Sequence, residues 1–123
     1  MVLGETIWTA VERNASTLGH KPAYIYEGET YSWAALKHDV EACACSLMGK
    51  GVRRKSRVGI WGLNSYEWVV CFFACCQIGA CPVLANYSYK RDEMFYFIDY
   101  AELEFLLVGD VKDGVDALSL IHI

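Results

Sequence analysis

The run WVVCFFACCQIGACPVLA, from Trp68 to Ala85, limits this chain to three kinds of structure: a membrane span, a cysteine metal site or the middle of a folded core. A span needs about 20 apolar residues in sequence. This run falls short and carries Gln77, Gly79 and Pro82 in its second half, which read as punctuation. On that reading Ser65 caps a helix running to about Ile78, Gly79 stops it, and Cys81 to Ala85 forms a short buried strand. The expectation is therefore no transmembrane segment, with a membrane-associated protein anchored through 68–85 as an alternative.

A metal site fits the cysteines less well than burial does. The six thiols fall into two groups, Cys43 with Cys45 and then Cys71, Cys75, Cys76 and Cys81. Zinc knuckles use close pairs on exposed turns, whereas Cys43 and Cys45 point to opposite sides of a helix and the second group has apolar neighbours. They read as small buried hydrophobes, with no metal ligands among them. At 123 residues, 54% hydrophobic and a net charge of −4, the chain has the composition of one globular domain and no excess of positive charge for nucleic acid. The N-terminus MVLGETIWTAVERNAS has no basic lead or small-residue cleavage site, so no signal peptide is expected and a reducing, cytoplasmic setting is the default. In that setting the sequons at Asn14 and Asn86 read as chance matches.

Periodicity supplies the rest of the organisation. Ile7, Val11, Ala15 and Leu18 recur at helical spacing and predict a first helix ending before Gly19. In AYIYEGETYSW, Tyr24, Tyr26 and Tyr31 flank Gly28 as a small hairpin, after which Ser32 caps a second helix. That helix has a stripe of Trp33, Leu36, Val40, Cys43, Ala44 and Leu47, a wet side of Lys37, His38 and Glu41, and an end near Gly49 to Gly51. From Arg57 the pattern becomes strand RVGIW, helix from Tyr66, strand CPVLA, helix from Arg91 to Tyr100 and strand EFLLV. The fold class is thus α/β: an N-terminal helix and small hairpin followed by a βαβαβ parallel-sheet unit. Ligands of such sheets bind at loops after the strand carboxyl ends, here GLNS and NYSYK.

Four residues in those loops are candidates for a substrate-pocket edge. Asn64 and Ser65 stand where a strand meets a helix, with a turn residue and a helix cap as the simpler reading. Asn86 and Tyr87 occupy the corresponding loop after the next strand, with a turn-forming Asn and a packing Tyr as the alternative. The basic run Lys50, Arg53, Arg54, Lys55 and Arg57 follows a helix C-terminus, where cations are favoured, and reads as a solvated loop. GIWG, from Gly59 to Gly62, lacks the third glycine of a dinucleotide fingerprint, and no acidic residue ends the next strand. His20 and His38 have no partner at nucleophile-activating spacing, so no catalytic residue is assigned.

Two features point beyond the chain. The segment Tyr66 to Ile78 is apolar on nearly every face, more than a domain this short is expected to enclose, so a missing cover is predicted. The last six residues, LSLIHI, equal the translation of CTGTCTCTTATACACATC, the transposase end of common sequencing-library adapters. Residues 1–117 are accordingly read as part of a natural domain and 118–123 as adapter translation.

The order of pieces HKPAYIYEGETYSWAAL, GVRRKSRVGIWGLNSYEWVVCFFACCQIGACPVLANYSYKRDEM and DYAELEFLLVGD resembles the N-terminal portion of the adenylate-forming (AMP-binding) synthetases, most like the acyl-CoA ligases. The resemblance covers about residues 5 to 110. Departures are Leu63 for the family's Pro before the Asn-Ser pair, Cys76 to Gly79 for its Lys-Ala-Gly turn, and Tyr87 for the Pro after Asn86. Asn86 itself favours acyl-CoA ligases over amino-acid adenylation domains. The resemblance implies a truncated part of the large N-terminal domain of an acid–thiol ligase. Its parent joins a carboxylic acid, expected to be a fatty acid, to ATP with magnesium and then to coenzyme A. The family's phosphate loop, adenine motifs and catalytic lysine lie downstream of these residues, so the piece alone is expected to bind no cofactor and to be inactive. Acyl chain length and oligomeric state do not follow from the sequence. The competing expectation is a complete flavodoxin-like α/β binding module.

Overall fold

The computed structural model describes residues 4–109 and the backbone of residues 118–122. Its elements are α1 (Ile7–Thr17), β1 (Pro22–Tyr26), β2 (Glu29–Ser32), α2 (Trp33–Gly49), β3 (Arg57–Trp61), α3 (Tyr66–Ile78), β4 (Cys81–Leu84), α4 (Arg91–Tyr100), β5 (Phe105–Gly109) and β6 (Leu118–His122). Helix starts follow local chemistry. Thr6, Ser32 and Ser65 each stand in extended backbone and accept a hydrogen bond from the N–H three residues on, which satisfies a donor that a helix start leaves free. Gly79 closes α3 in the left-handed conformation, with φ of 84°, where a Cβ would be strained. Glu27 and Gly28 both take positive φ and make the tight β1–β2 turn.

β3 is the middle of the parallel unit in a sheet ordered β4-β3-β5-β6. It pairs parallel with β4 (Ile60 opposite Leu84) on one side and with β5 (Ile60 opposite Leu107) on the other. The chain leaves β3 for one neighbour through α3, then crosses back past β3 to the other through α4. Right-handed crossovers in opposite directions place the two helices on opposite faces. The side chains agree: Val58, Ile60, Phe105 and Leu107 pack with α1, α2 and α3, whereas Leu103, Leu106 and Val83 pack with Met94 of α4. Gly59 points to the α4 side, and a Cβ there would lie 2.6 Å from Leu103 Cδ1, so the central strand admits no larger residue without repacking.

Several expectations need correction. α1 buries Trp8 and Val11, while Ile7 is 52% exposed, so the buried stripe is set one residue later at its start. β4 is an edge strand rather than a buried one: Cys81 and Leu84 are exposed. Cys45 is exposed too, so the small-hydrophobe reading holds for Cys71 and Cys75 but not for every thiol. β6, which the sequence reading left outside the fold, pairs antiparallel with β5 from Phe105–His122 to Gly109–Leu118. An open sheet edge of backbone N–H and C=O groups accepts a short apolar segment whatever its source.

The cover of α3 also differs from expectation. No residue of Tyr66–Ile78 is fully exposed, because α1, α2 and the tyrosines of the hairpin enclose much of it. The uncovered aromatics lie on α4 instead, with Phe95, Tyr96 and Tyr100 at 56%, 69% and 78% exposure. Among the described residues, no helix is long and apolar enough to cross a membrane. Exposed apolar patches of this kind bind hydrophobic dyes. The chain is therefore expected to enhance the fluorescence of an anilinonaphthalene dye, and the triple change Phe95→Ser, Tyr96→Ser and Tyr100→Ser is expected to remove most of that signal. Retention of the full signal would place the binding surface on α3.

Candidate functional site

The two candidate loops leave the same edge of the sheet. The ladder between β3 and β4 ends where the Ala85 N–H donates to Ile60 O at 3.0 Å, and Asn86 is the next residue. On the neighbouring strand, Trp61 leads through Gly62 and Leu63 to Asn64 and Ser65. The carboxyl ends of β3 and β4 thus bring both pairs to one end of the molecule, as the parallel topology requires.

Their side chains are committed to the local backbone in different degrees. Ser65 Oγ accepts from the Trp68 N–H at 3.1 Å, which makes Ser65 the α3 cap. Asn86 Oδ1 accepts from the Ser88 N–H at 3.0 Å and from Ser88 Oγ at 2.8 Å, while Asn86 O accepts from the Tyr89 N–H at 3.0 Å. That Asx turn occupies the carboxamide oxygen and leaves its NH₂ donors facing outward. Asn64 is exposed, and Tyr87 is 59% exposed, so the packing role considered for Tyr87 is not what its position gives it.

Beside this edge, Trp61 Nε1 is buried and has no acceptor among the described residues; at the far end of α3, Gln77 Oε1 is buried with no donor among them. An unmet buried polar group costs about 1–3 kcal/mol. Trp61 packs on the α4 side of the sheet, against the same cluster of Met94, Leu103 and Leu106 as Tyr89 and Phe97. An open concavity of about 640 Å³ there is lined by Tyr89, Asp92, Glu93, Tyr96, Phe97 and Tyr100. Sequence reasoning missed this surface because Tyr96 and Tyr100 read as the face of an ordinary helix.

The basic run lies elsewhere. Arg57 opens β3 at the opposite, amino end of the sheet, where its guanidinium donates to Ala101 O at 3.0 Å and meets Glu102 Oε2 at 3.2 Å. Arg54 lays its stem against Gly79, and the Lys55 N–H donates to Gly79 O at 2.9 Å. Arg54 and Lys55 tie the loop before β3 to the end of α3, Arg57 ties the start of β3 to the end of α4, and all three lie at the opposite end of the sheet from the candidate loops. His20 and His38 are exposed, and His38 Nδ1 meets Asp39 Oδ1 of its own helix at 3.4 Å.

A further group escaped the sequence reading. Tyr66 donates to Asp39 Oδ2 at 2.6 Å, and its ring stacks on Tyr31 with centroids 3.6 Å apart and planes 6° from parallel. Burial, then the bond to Asp39, holds the Tyr66 hydroxyl well above the ordinary tyrosine range. Nothing in the spacing of Asp39 and Tyr66 along the chain signals this pairing.

A sheet with α3 and α4 on its two faces, entered through a hairpin and a capped helix, is the architecture of the N-terminal domains of adenylate-forming enzymes. The fold superposes with a TM-score of 0.83 on an N-terminal subdomain from Klebsiella oxytoca solved with 3-hydroxyanthranilyl-AMSN, at 19% identity, over 87% of this chain and 28% of that one. It superposes with a TM-score of 0.80 on o-succinylbenzoate coenzyme A synthetase of Bacillus subtilis in complex with AMP, at 25% identity, over 86% of this chain and 27% of that one. The chain belongs to the AMP-binding enzyme family, whose profile matches residues 11–122. Within it the chain is similar to the mitochondrial medium-chain acyl-CoA ligase of Rattus norvegicus, 30% identical over 99 residues. The human enzyme of the same name is 30% identical over 96 residues. The matched residues make up 79% and 76% of this chain and 16% of each ligase, so the chain spans a small part of the relatives' length.

The cap makes a local test of this edge. Ser65→Ala is expected to lower stability by about 1 kcal/mol, and Ser65→Asp, which keeps an acceptor for the Trp68 N–H, by much less. Urea titration followed by far-ultraviolet circular dichroism measures the difference; equal midpoints for the two variants would deny Ser65 its capping role.

Proposed function

We propose that the chain is the amino-terminal part of an acid–thiol ligase that activates a carboxylic acid with ATP, forms an acyl-adenylate and passes the acyl group to coenzyme A. The observation that carries this reading is the family match over residues 11–122 together with the acyl-CoA ligase relatives. A fatty acid is the favoured substrate class, since the rat and human relatives are named medium-chain ligases. The solved B. subtilis relative, a synthetase of o-succinylbenzoate, makes an aryl acid the competing class.

The residues in hand do not fit the nucleotide. Departure of pyrophosphate needs a loop of backbone N–H donors, a cation and a lysine against the phosphates. Among the described residues no three His, Cys, Asp or Glu side chains gather to hold a metal ion, and no Ser/Thr/Gly-rich loop ending in Lys is present in the sequence. ATP, magnesium and coenzyme A therefore belong, in this proposal, to parts of the parent enzyme outside these 123 residues. What this chain contributes is a wall: Asn64, Ser65, Asn86 and Tyr87 form the edge of the acid pocket, with the outward NH₂ of Asn86 and the exposed Tyr87 ring as its contacts. A cytoplasmic location is part of the same proposal; the two ligase relatives carry a mitochondrial designation. Residues 118–123 are proposed to be adapter translation, with natural sequence continuing past Ala117.

Sequencing the source DNA onward from Ala117 tests the frame, and the enzyme encoded by the continuous frame tests the activity. The expected outcome is a Ser/Thr/Gly-rich loop ending in Lys downstream, and ATP–pyrophosphate exchange that depends on a medium-chain fatty acid. In that enzyme Tyr87→Ala is expected to raise KM for the acid several-fold with little change in kcat, the signature of lost binding that ground state and transition state share equally. A stop codon directly after LSLIHI in genomic DNA would sink the ligase proposal. Exchange supported by aryl acids alone would replace the fatty-acid assignment.

A further inference from the structure

The facing surfaces of α2 and α3 hold a pair of thiols. Cys43 Sγ and Cys71 Sγ lie 3.8 Å apart although 28 residues separate them in sequence. They share a cavity of about 300 Å³ with Asp39, Tyr66, Glu67 and Val70. Cys43 is half-buried and reachable from that cavity, whereas Cys71 is buried behind it. The remaining thiols are placed differently. Cys75 is fully buried, with no exposed surface for a reagent to meet, Cys76 is half-buried and does not line this cavity, and Cys45 and Cys81 are exposed and lie outside it.

We propose that Cys43 and Cys71 form a dithiol site that reduces low-molecular-weight disulfides and becomes an intramolecular disulfide linking α2 to α3. The reaction balances as two exchanges. The Cys43 thiolate attacks one sulfur of a small disulfide RSSR, forming a Cys43–SR mixed disulfide and releasing RS⁻, which takes up the proton lost from Cys43. Cys71 then gives up its proton, attacks the Cys43 sulfur and displaces the second RSH. Two protein thiols are oxidised by two electrons and one RSSR is reduced to two RSH.

The geometry assigns the two roles. The more accessible thiolate is the one that reaches and attacks the small disulfide first, and its neighbour must sit within reach to resolve the mixed disulfide. The contact between the two sulfurs lowers the Cys43 pKa below that of an ordinary thiol, while that contact and then burial raise that of Cys71, so thiolate character favours the half-buried partner. Closing the bond brings the sulfurs to about 2.0 Å, an approach of roughly 1.8 Å. Asp39 and Glu67 at the cavity give it a negative rim, so a cationic disulfide is favoured over an anionic one. This inference stands apart from the ligase proposal and survives its failure.

The test uses the 123-residue chain, reduced and then exposed to cystamine, with glutathione disulfide as the anionic comparison. Free thiols are alkylated, and mass spectrometry of the whole chain and of its peptides locates every linkage. The expected result is loss of two hydrogens and a peptide joining Cys43 to Cys71, formed several-fold faster with cystamine and absent when the reaction is run in concentrated urea. Cys71→Ser is expected to leave one cysteamine on Cys43. The double change Cys45→Ser and Cys81→Ser, outside the site, is expected to leave the linkage intact. Modification confined to Cys45, Cys76 and Cys81, or a mixed disulfide on Cys43 of the unaltered chain that Cys71 never resolves, would overturn the assignment.

Discussion

Everything in this structure is arranged around β3, a five-residue strand that is enclosed on both faces. Val58 and Ile60 have no exposed surface and face α2 and α3, while Gly59 between them faces Leu103 and Leu106 below α4. Burying a Val or Ile side chain contributes about 1.5–3 kcal/mol, but only if helices cover both sides. A central parallel strand therefore forces the crossover helices onto opposite faces. That division in turn sends both candidate loops to the carboxyl end and the basic run to the amino end. The separation of the arginines from Asn64 and Asn86 is thus a consequence of topology rather than of loop detail.

Most of this plan was legible in the sequence because its signals are local. Ser32 and Ser65 cap helices through bonds to residues three positions on, Gly79 alone tolerates the left-handed closure of α3, and after Arg57 the strand RVGIW carries no polar side chain, as a strand enclosed on both faces must. The misreadings have a common source in tertiary position. Cys81 to Ala85 reads as buried because its residues are apolar, yet β4 lies at the sheet edge, and edge or centre is decided by strand order, which composition does not encode. The stripe of α1 was set by Ile7, but the broad Trp8 ring is the better match to the surface that α2 presents. Prediction of an uncovered α3 treated the helix alone and ignored the cover supplied by α1, α2 and the hairpin.

The candidate site was legible only as a location. Parallel topology points to the loops after β3 and β4, and the structure places Asn64, Ser65, Asn86 and Tyr87 there. What the sequence did not show is how much of each side chain the backbone already uses. Ser65 is spent on its cap and Asn86 half-spent on its Asx turn, leaving Asn64, the Asn86 NH₂ and the Tyr87 ring as the free chemistry. Pairings such as Tyr66 with Asp39 or Cys43 with Cys71 join residues about 28 positions apart. No spacing rule reaches that far without the fold.

The exposed aromatics of α4 bear on how such a domain is completed. Trp61 Nε1, buried without an acceptor among the described residues, and the open surface of Tyr89, Tyr96, Phe97 and Tyr100 lie on the same side of the sheet. The opposite face is closed by α1, α2 and α3, whose side chains form a continuous core with β3 and β5. An α/β sheet needs both faces covered to exclude water from its strands, and a single ten-residue helix covers less than three helices do. The asymmetry means that the α4 side is where further structure would contribute most per residue added, both by enclosing aromatic surface and by offering an acceptor to the Trp61 N–H, which has none among the described residues.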